Sequence, residues 1–87
     1  MKMNNENDVQ RFQIRLADPR QLQKLLAYLD AEWEHRSSCF SRTIDNTGAC
    51  GDPAVVTVDL GLPVAQRDEF IEAIRQRFRV EITGNLA

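Results

Sequence analysis

The chain has 87 residues, of which 43% are apolar and 28% are charged, and its net charge at pH 7 is -2. This length allows one small domain with one hydrophobic core. Such a domain buries only roughly 60–65% of its unfolded surface, so a partner subunit would add stability. The small net charge gives no electrostatic reason to expect nucleic acid or an anionic membrane as a partner. No apolar run approaches the roughly 18 residues that a membrane-spanning helix requires.

The amino-terminal stretch contains several asparagines and little that a core could bury. This composition predicts a disordered tail over residues 1–8 and a single domain over residues 9–87. The same stretch is too polar for the apolar segment of a secretory signal, which favours a cytoplasmic protein. The cysteines, Cys39 and Cys50, agree with that compartment, because small secreted domains usually carry more of them. We therefore expect both thiols to be reduced and unpaired.

The first strand and the first helix are predicted from a change of hydrophobic period. Apolar and polar residues alternate over residues 9–16, which is typical of a strand with one buried face. Asp18, Pro19 and Gln21 then supply an N-cap acceptor, a first-turn proline and a capping-box partner. The helix is expected to run to about His35 or Arg36. Its apolar stripe consists of Leu22, Leu25, Leu26, Leu29 and Trp33, which are predicted to be core residues.

The second half of the chain predicts two strands, a helix and a last strand. Residues 39–45 alternate poorly and include Arg42 on the inner face, which is typical of an edge strand. A loop over residues 46–53 follows, and residues 54–60 then alternate cleanly enough for a central strand. Pro63 is placed to start a second helix, and a final strand is expected over residues 79–83. The stripe of this helix consists of Phe70, Ile71, Ile74 and Phe78.

The resulting order of elements is β-α-β-β-α-β. Two helices on one face of a four-stranded antiparallel sheet bury both stripes in one core, which is the ferredoxin-like α+β sandwich with strand order 4-1-3-2. In outline, residues 9–83 resemble ACT-like and other small ferredoxin-like regulatory domains. ACT domains place a glycine-bearing turn before the first helix to admit an amino acid. The turn here is Ala17-Asp18-Pro19, which helix capping explains, so the resemblance implies no ligand-binding residue.

The histidine and the cysteines are the strongest candidates for chemistry. His35, Cys39 and Cys50 have the spacing H-x3-C-x10-C, which lacks the C-x2-C pair of a strong zinc signature. A thiol nucleophile would need a base and a pocket beside it, and the sequence indicates neither. We therefore predict no enzymatic activity, no cofactor and no metal, with these three residues as the only metal candidates.

The outer face of the predicted sheet favours protein contact over nucleic acid. RNA-binding sheets of this topology stack bases on aromatic side chains. Here the face is mixed and polar, with Arg15 expected near Asp59 and Glu81 across neighbouring strands. The face consists of Gln13, Arg15, Val55, Thr57, Asp59, Glu81 and Thr83, none of them aromatic.

These features predict a small non-enzymatic protein–protein interaction or regulatory module that forms a homodimer or binds another protein. The contact surfaces are expected to be the open sheet face, the edge strand 39–45 and the loop 46–53. The alternative is an ACT-like ligand-sensing domain that binds a small molecule or a metal at a subunit interface. The candidate partner-binding residues are Tyr28, Arg15, Asp59, Asn46, Thr47 and Asp52.

Overall fold

The computed structural model describes residues 9–49 and 51–84, so the predicted tail over residues 1–8 lies outside the described residues. The fold is α+β, with a four-stranded antiparallel sheet and two helices. The sheet order is β2-β3-β1-β4, which is 4-1-3-2 when read from the opposite edge. The elements are β1 (Val9–Leu16), α1 (Leu22–Glu32), β2 (Phe40–Asn46), β3 (Ala54–Gly61), α2 (Val64–Arg77) and β4 (Val80–Gly84).

One face of the sheet is buried, because the alternating buried side chains of the two central strands lie on the same side of the sheet. Phe12 lies opposite Val58, and Ile14 lies opposite Val56, in an unbroken antiparallel register between β1 and β3. Both helices cover this face and contribute to the same core. The buried hydrophobic residues are Phe12, Ile14, Leu16, Leu22, Leu25, Leu26, Leu29, Trp33, Ala54, Val56, Val58, Leu60, Leu62, Phe70 and Ile74.

The centre of this core is an aromatic cluster that joins both helices to the sheet. The ring of Phe70 lies 5.0 Å from that of Phe12 and 5.0 Å from that of Trp33, measured between centroids. Trp33 is 1% exposed, which confirms its prediction as a core residue. The described residues contain no helix long and apolar enough to cross a membrane.

The start of the first helix differs in detail from its prediction. Asp18 is an N-cap, but it caps a 3₁₀ turn over Pro19–Gln21 that precedes α1. Its Oδ1 accepts a hydrogen bond from the backbone N–H of Arg20 at 3.0 Å. Gln21 makes no reciprocal side-chain cap, so the predicted capping box is incomplete. Hydrogen bonds from Arg20 also lower the pKa of the Asp18 carboxyl.

The end of the first helix was predicted too late in the chain. The helix ends at Glu32, and residues 33–36 form turns. The carbonyl of Leu29 accepts from the N–H groups of both Trp33, at 3.0 Å, and Glu34, at 3.2 Å. The Ser37 hydroxyl then donates to the carbonyl of Trp33 at 2.6 Å. The N–H of Glu34 thus bonds five residues back instead of four, so the regular α-helical pattern is broken before His35 and Arg36.

The loop between β2 and β3 folds back against the start of the first helix. The Asn46 side chain accepts a hydrogen bond from the N–H of Gly48 at 2.7 Å. Gly48 has a φ of +81°, and a Cβ at this position would lie 2.7 Å from the Cβ of Pro19. The close approach to Pro19 and the left-handed backbone both require glycine here.

We expect Gly48→Ala to lower the free energy of unfolding by about 2–3 kcal/mol, because backbone strain and the clash with Pro19 add together. Gly51→Ala is the matched control, since Gly51 has a φ of +87° but open space around its Cβ. It should cost about 1 kcal/mol from backbone strain alone. Urea denaturation measures both values. Equal losses would show that the loop does not pack against Pro19.

Candidate interaction surface

The strand β2 is the most exposed regular element of the fold. It lies at one edge of the sheet and pairs with β3 only. Every residue of the strand after Phe40 is exposed, and Phe40 itself is half-buried. Ile44 is 39% exposed although its cross-strand neighbour Val56 is fully buried. An edge of this kind offers unpaired backbone groups to another chain.

The register identifies which backbone groups of β2 point away from the sheet. The N–H of Gly61 donates to the carbonyl of Cys39 at 3.0 Å. In an antiparallel ladder, hydrogen-bonded residues alternate with residues whose N–H and C=O groups face the other way. Ser41 and Thr43 therefore bond to β3 in the same manner as Cys39. The residues whose backbone groups face the open edge are Phe40, Arg42 and Ile44.

The side chains of these three residues lie on the helix side of the sheet, because their partners on β3 are buried there. Arg42 does not leave an isolated charge on this side. Its Nε lies 2.9 Å from Oδ1 of Asp30 on α1, and its second guanidinium nitrogen lies 2.8 Å from Oδ2. The side-chain hydrogen bonds from Arg42 lower the pKa of Asp30. The stabilisation is therefore present above the ordinary carboxyl pKa and is lost as the pH falls through the lowered one.

The open face of the sheet is held by polar pairs. Arg11 lies opposite Asp59, and its guanidinium nitrogens lie 2.7 and 3.3 Å from the two carboxylate oxygens. The Thr57 hydroxyl donates to the carboxylate of Asp45. The expected proximity of Arg15 to Asp59 is wrong, because the register between β1 and β3 places Arg11 there instead. Arg15 lies opposite Glu81, as expected.

The predicted partner-binding residues do not form one surface. Tyr28 lies on the helix side, where its hydroxyl accepts a hydrogen bond from Nε1 of Trp33 at 3.1 Å. Its ring packs against Phe78, with centroids 5.9 Å apart, and the Arg77 guanidinium lies 4.7 Å from its centroid. Tyr28 is therefore half-buried rather than a free anchor. Arg15 and Asp59 lie on the opposite, open face of the sheet.

The loop candidates lie beyond the end of β2. Asn46 is the last residue of the strand and orders the turn through its bond to Gly48. Thr47 and Asp52 are both exposed. A shift of register between Ile44 and Asn46 marks the point where regular pairing with β3 ends. The regular part of the edge is therefore the segment before this irregularity.

The structure describes two of the three metal candidates. His35 is exposed in the turns that follow α1, and Cys39 is an exposed free thiol. Cys50 lies outside the described residues. Within residues 9–49 and 51–84, no three histidine, cysteine, aspartate or glutamate side chains converge where a metal ion would bind.

A second feature, at the opposite edge of the sheet, was missed by sequence reasoning. Two open clefts adjoin where β1 ends and β4 begins, with volumes of ≈ 420 Å³ and ≈ 600 Å³. Both are lined by Ala17 and Arg79, and the N–H of Ala17 donates to the carbonyl of Arg79 at 3.3 Å. Arg15 lines the smaller cleft, and Arg75 and Arg77 line the larger one. Arg75 and Arg77 lie in the last turn of α2, and the local sequence gives no sign that a cleft adjoins them.

Comparisons with protein-family models, with curated proteins and with solved structures found no match for this chain.

Proposed function

We propose that this chain is a non-enzymatic, ferredoxin-like interaction module whose edge strand β2 pairs with β2 of a second copy. The observation that carries the proposal is the exposed edge of β2, with the backbone groups of three alternate residues facing outward. Strand addition satisfies such groups directly, and a symmetric dimer presents the same strand on both sides. In this proposal the partner is a copy of this chain.

One register of antiparallel pairing uses all of the outward groups. When the two-fold axis passes beside Arg42, Phe40 lies opposite Ile44 of the partner subunit, and Arg42 lies opposite the partner subunit's Arg42. Each of the three pairs would exchange two hydrogen bonds, giving about six in total. A shift of the axis by one residue in either direction pairs only two of the outward residues with each other. The centred register therefore forms the most hydrogen bonds.

The side chains suit the same register. On the helix side, Phe40 meets Ile44 of the partner subunit twice, which covers the exposed part of Ile44 with an apolar neighbour. On the open face, Ser41 lies opposite Thr43 of the partner subunit, so hydroxyl groups face each other. Apolar pairs on one face and hydroxyl pairs on the other are both favourable across strands.

The charge at the centre of this interface is balanced within each copy. Like charges directly opposite each other destabilise a pair of strands. Here each Arg42 is already bound to Asp30 of its own chain through two hydrogen bonds of 2.8 and 2.9 Å. The two arginines would thus meet as neutral ion pairs. An inward-pointing charge such as Arg42 usually protects an edge strand from pairing with another chain. In this chain the charge is compatible with pairing.

The exposed thiol of Cys39 supports a reducing, cytoplasmic location for the dimer, because an accessible free thiol is readily oxidised elsewhere.

Disulfide trapping tests the register. In a background of Cys39→Ser and Cys50→Ser, one batch of protein carries Ser41→Cys and another carries Thr43→Cys. The two positions are a non-hydrogen-bonded pair in the centred register, with Cα atoms about 4.5 Å apart, which a disulfide can span. Identical positions lie diagonally at about 7–8 Å, which is too far. We expect mild oxidation to give a covalent dimer from the mixture but not from either batch alone.

The other outcomes are equally specific. A covalent dimer from Ser41→Cys alone would centre the pairing on residue 41, and one from Thr43→Cys alone would centre it on residue 43. A mixture of Ser41→Cys with Glu72→Cys, an exposed position on α2, measures random collision. Trapping no stronger than this control in every combination would rule out pairing through β2.

A further inference from the structure

Four arginines gather at the end of the sheet where β1 stops and β4 starts. Arg15 and Arg79 lie on the strands or beside them, and Arg75 and Arg77 lie in the last turn of α2. The four ion pairs formed among the described residues use other arginines. We call this group of four the arginine end. No described carboxylate lies within 4.0 Å of its guanidinium nitrogens, so no ion pair with a described residue neutralises its charge.

The arginine end is positively charged, whereas the whole chain carries a net negative charge. The two clefts are lined by the four arginines and by two carboxylates, Asp18 and Glu81, which leaves a net charge of +2. The chain as a whole carries -2, so the remaining residues carry -4. Asp18 is moreover bound by Arg20 at 3.1 Å, which removes it as a partner for the arginine end. A concave surface with a net positive charge attracts ligands of the opposite sign.

Helix termination does not explain the whole group. Arg75 and Arg77 lie in the last turn of α2, where cations offset the negative end of the helix dipole. Arg79 follows the C-cap residue Phe78 and precedes β4, whereas Arg15 lies in β1, away from the helix end. The carbonyl groups at the end of α2 would also disfavour an anion beside them. The smaller cleft, between Arg15 and Arg79, is therefore the better site for an anion.

The smaller cleft combines the charges of Arg15 and Arg79 with an apolar wall. Ala17, Pro53 and Val80 line it together with Arg15, Arg79 and Glu81. Its volume of ≈ 420 Å³ is within the range of small-molecule sites, which pair a mostly apolar lining with a few placed polar groups. Guanidinium groups bind carboxylate and phosphate oxygens through paired hydrogen bonds.

We propose that the smaller cleft binds a small organic anion, with its phosphate or carboxylate between Arg15 and Arg79 and its apolar body against Ala17, Pro53 and Val80. The cleft is lined by residues of β1 and β4 or next to them and by Pro53, which precedes β3, and no residue of β2 lines it. Binding is thus independent of the dimer and requires no residue from a second copy. Glu81, directly opposite Arg15 in the register, is the one carboxylate of this cleft and opposes the anion.

The test is a titration of the isotope-labelled protein, followed by nuclear magnetic resonance, with phenyl phosphate, inorganic phosphate and phenol as probes. We expect phenyl phosphate to bind more tightly than either other probe, and to shift the amide signals of Ala17, Arg79 and Val80 most. Arg79→Gln should weaken its binding by about tenfold, since one charged partner is lost. Glu81→Gln should strengthen it, because a repulsive charge is removed.

Lys24→Gln is the matched control, because it removes one positive charge from an exposed position on α1 outside both clefts. Its binding of phenyl phosphate should be unchanged. If Lys24→Gln and Arg79→Gln weaken the binding of phenyl phosphate equally, the binding reflects only general electrostatic attraction and the proposal is overturned. Absence of shifts at the cleft, or weaker binding after Glu81→Gln, would overturn it as well. All of these variants replace exposed side chains, so we expect them to fold. Their spectra also report whether the fold is intact.

Discussion

Phe70→Ala is expected to lower the free energy of unfolding by about 3–5 kcal/mol, the loss typical of removing a buried aromatic ring. Phe70 is fully buried and its ring contacts those of Phe12 and Trp33, so it links α2 both to the sheet and to the chain segment after α1. A domain of this size has a total stability of only about 4–13 kcal/mol. The variant should therefore be close to unfolding at room temperature.

Urea denaturation followed by circular dichroism, at one fixed protein concentration, measures this loss. Glu72→Ala is the control on the same helix, since Glu72 is exposed and its change should stay within about 0.5 kcal/mol. Phe70→Leu keeps most of the volume and should cost about 1.5 kcal/mol, so it remains measurable if the alanine variant does not fold. A loss below about 1 kcal/mol for Phe70→Ala would contradict the packing of both helices on one shared core.

Ile44→Lys is expected to convert the proposed dimer into a monomer. In the centred register, this position faces Phe40 of the partner subunit on both sides of the two-fold axis. An ammonium group there would lose water without gaining a partner charge, and it would be buried twice in each dimer. Lysine on edge strands is a common device against such pairing.

The same substitution should leave the folded subunit intact, because Ile44 is already 39% exposed in the single chain. Val64→Lys provides the matched control: Val64 is 60% exposed, is also aliphatic, and begins α2 away from β2. Circular dichroism of dilute samples should give the two variants similar melting temperatures. A selective loss of melting temperature in dilute Ile44→Lys would instead assign Ile44 to the core of the subunit.

The central strands were predictable because apolar and polar residues alternate along them, and the apolar residues are the buried ones. Phe12, Ile14 and Leu16 on β1, and the matching positions on β3, follow from hydrophobicity alone. The edge position of β2 followed from its weak alternation. Local patterns of this kind depend only on near neighbours in the chain, which is why they can be read from the sequence.

Pairings between strands were harder to predict because they depend on register. The sequence placed Arg15 near Asp59, whereas the register brings Arg11 to Asp59. Nothing local in the chain fixes such an offset, and a shift of four residues keeps the same face exposed. The ion pair between Arg42 and Asp30 depends in the same way on where α1 lies over the edge strand.

The arginine end was missed for a different reason. Its residues are far apart in sequence, at position 15 and at positions 75–79, and each has a local explanation as a strand or helix residue. The antiparallel pairing of β1 with β4, continued by the hydrogen bond between Ala17 and Arg79, brings them together. The helix end at Glu32 was likewise set by bonds to Leu29 and Trp33 that the apolar stripe does not reveal.

The measurement that tests the proposed dimer most directly is the solution mass by light scattering across a concentration series, for the unmodified chain, Ile44→Lys and Val64→Lys. The account predicts that the unmodified chain and Val64→Lys approach twice the chain mass of 10.0 kDa as concentration rises, while Ile44→Lys stays at the mass of one chain. A monomer at every concentration in all three proteins, or a dimer that persists in Ile44→Lys, would contradict pairing through β2.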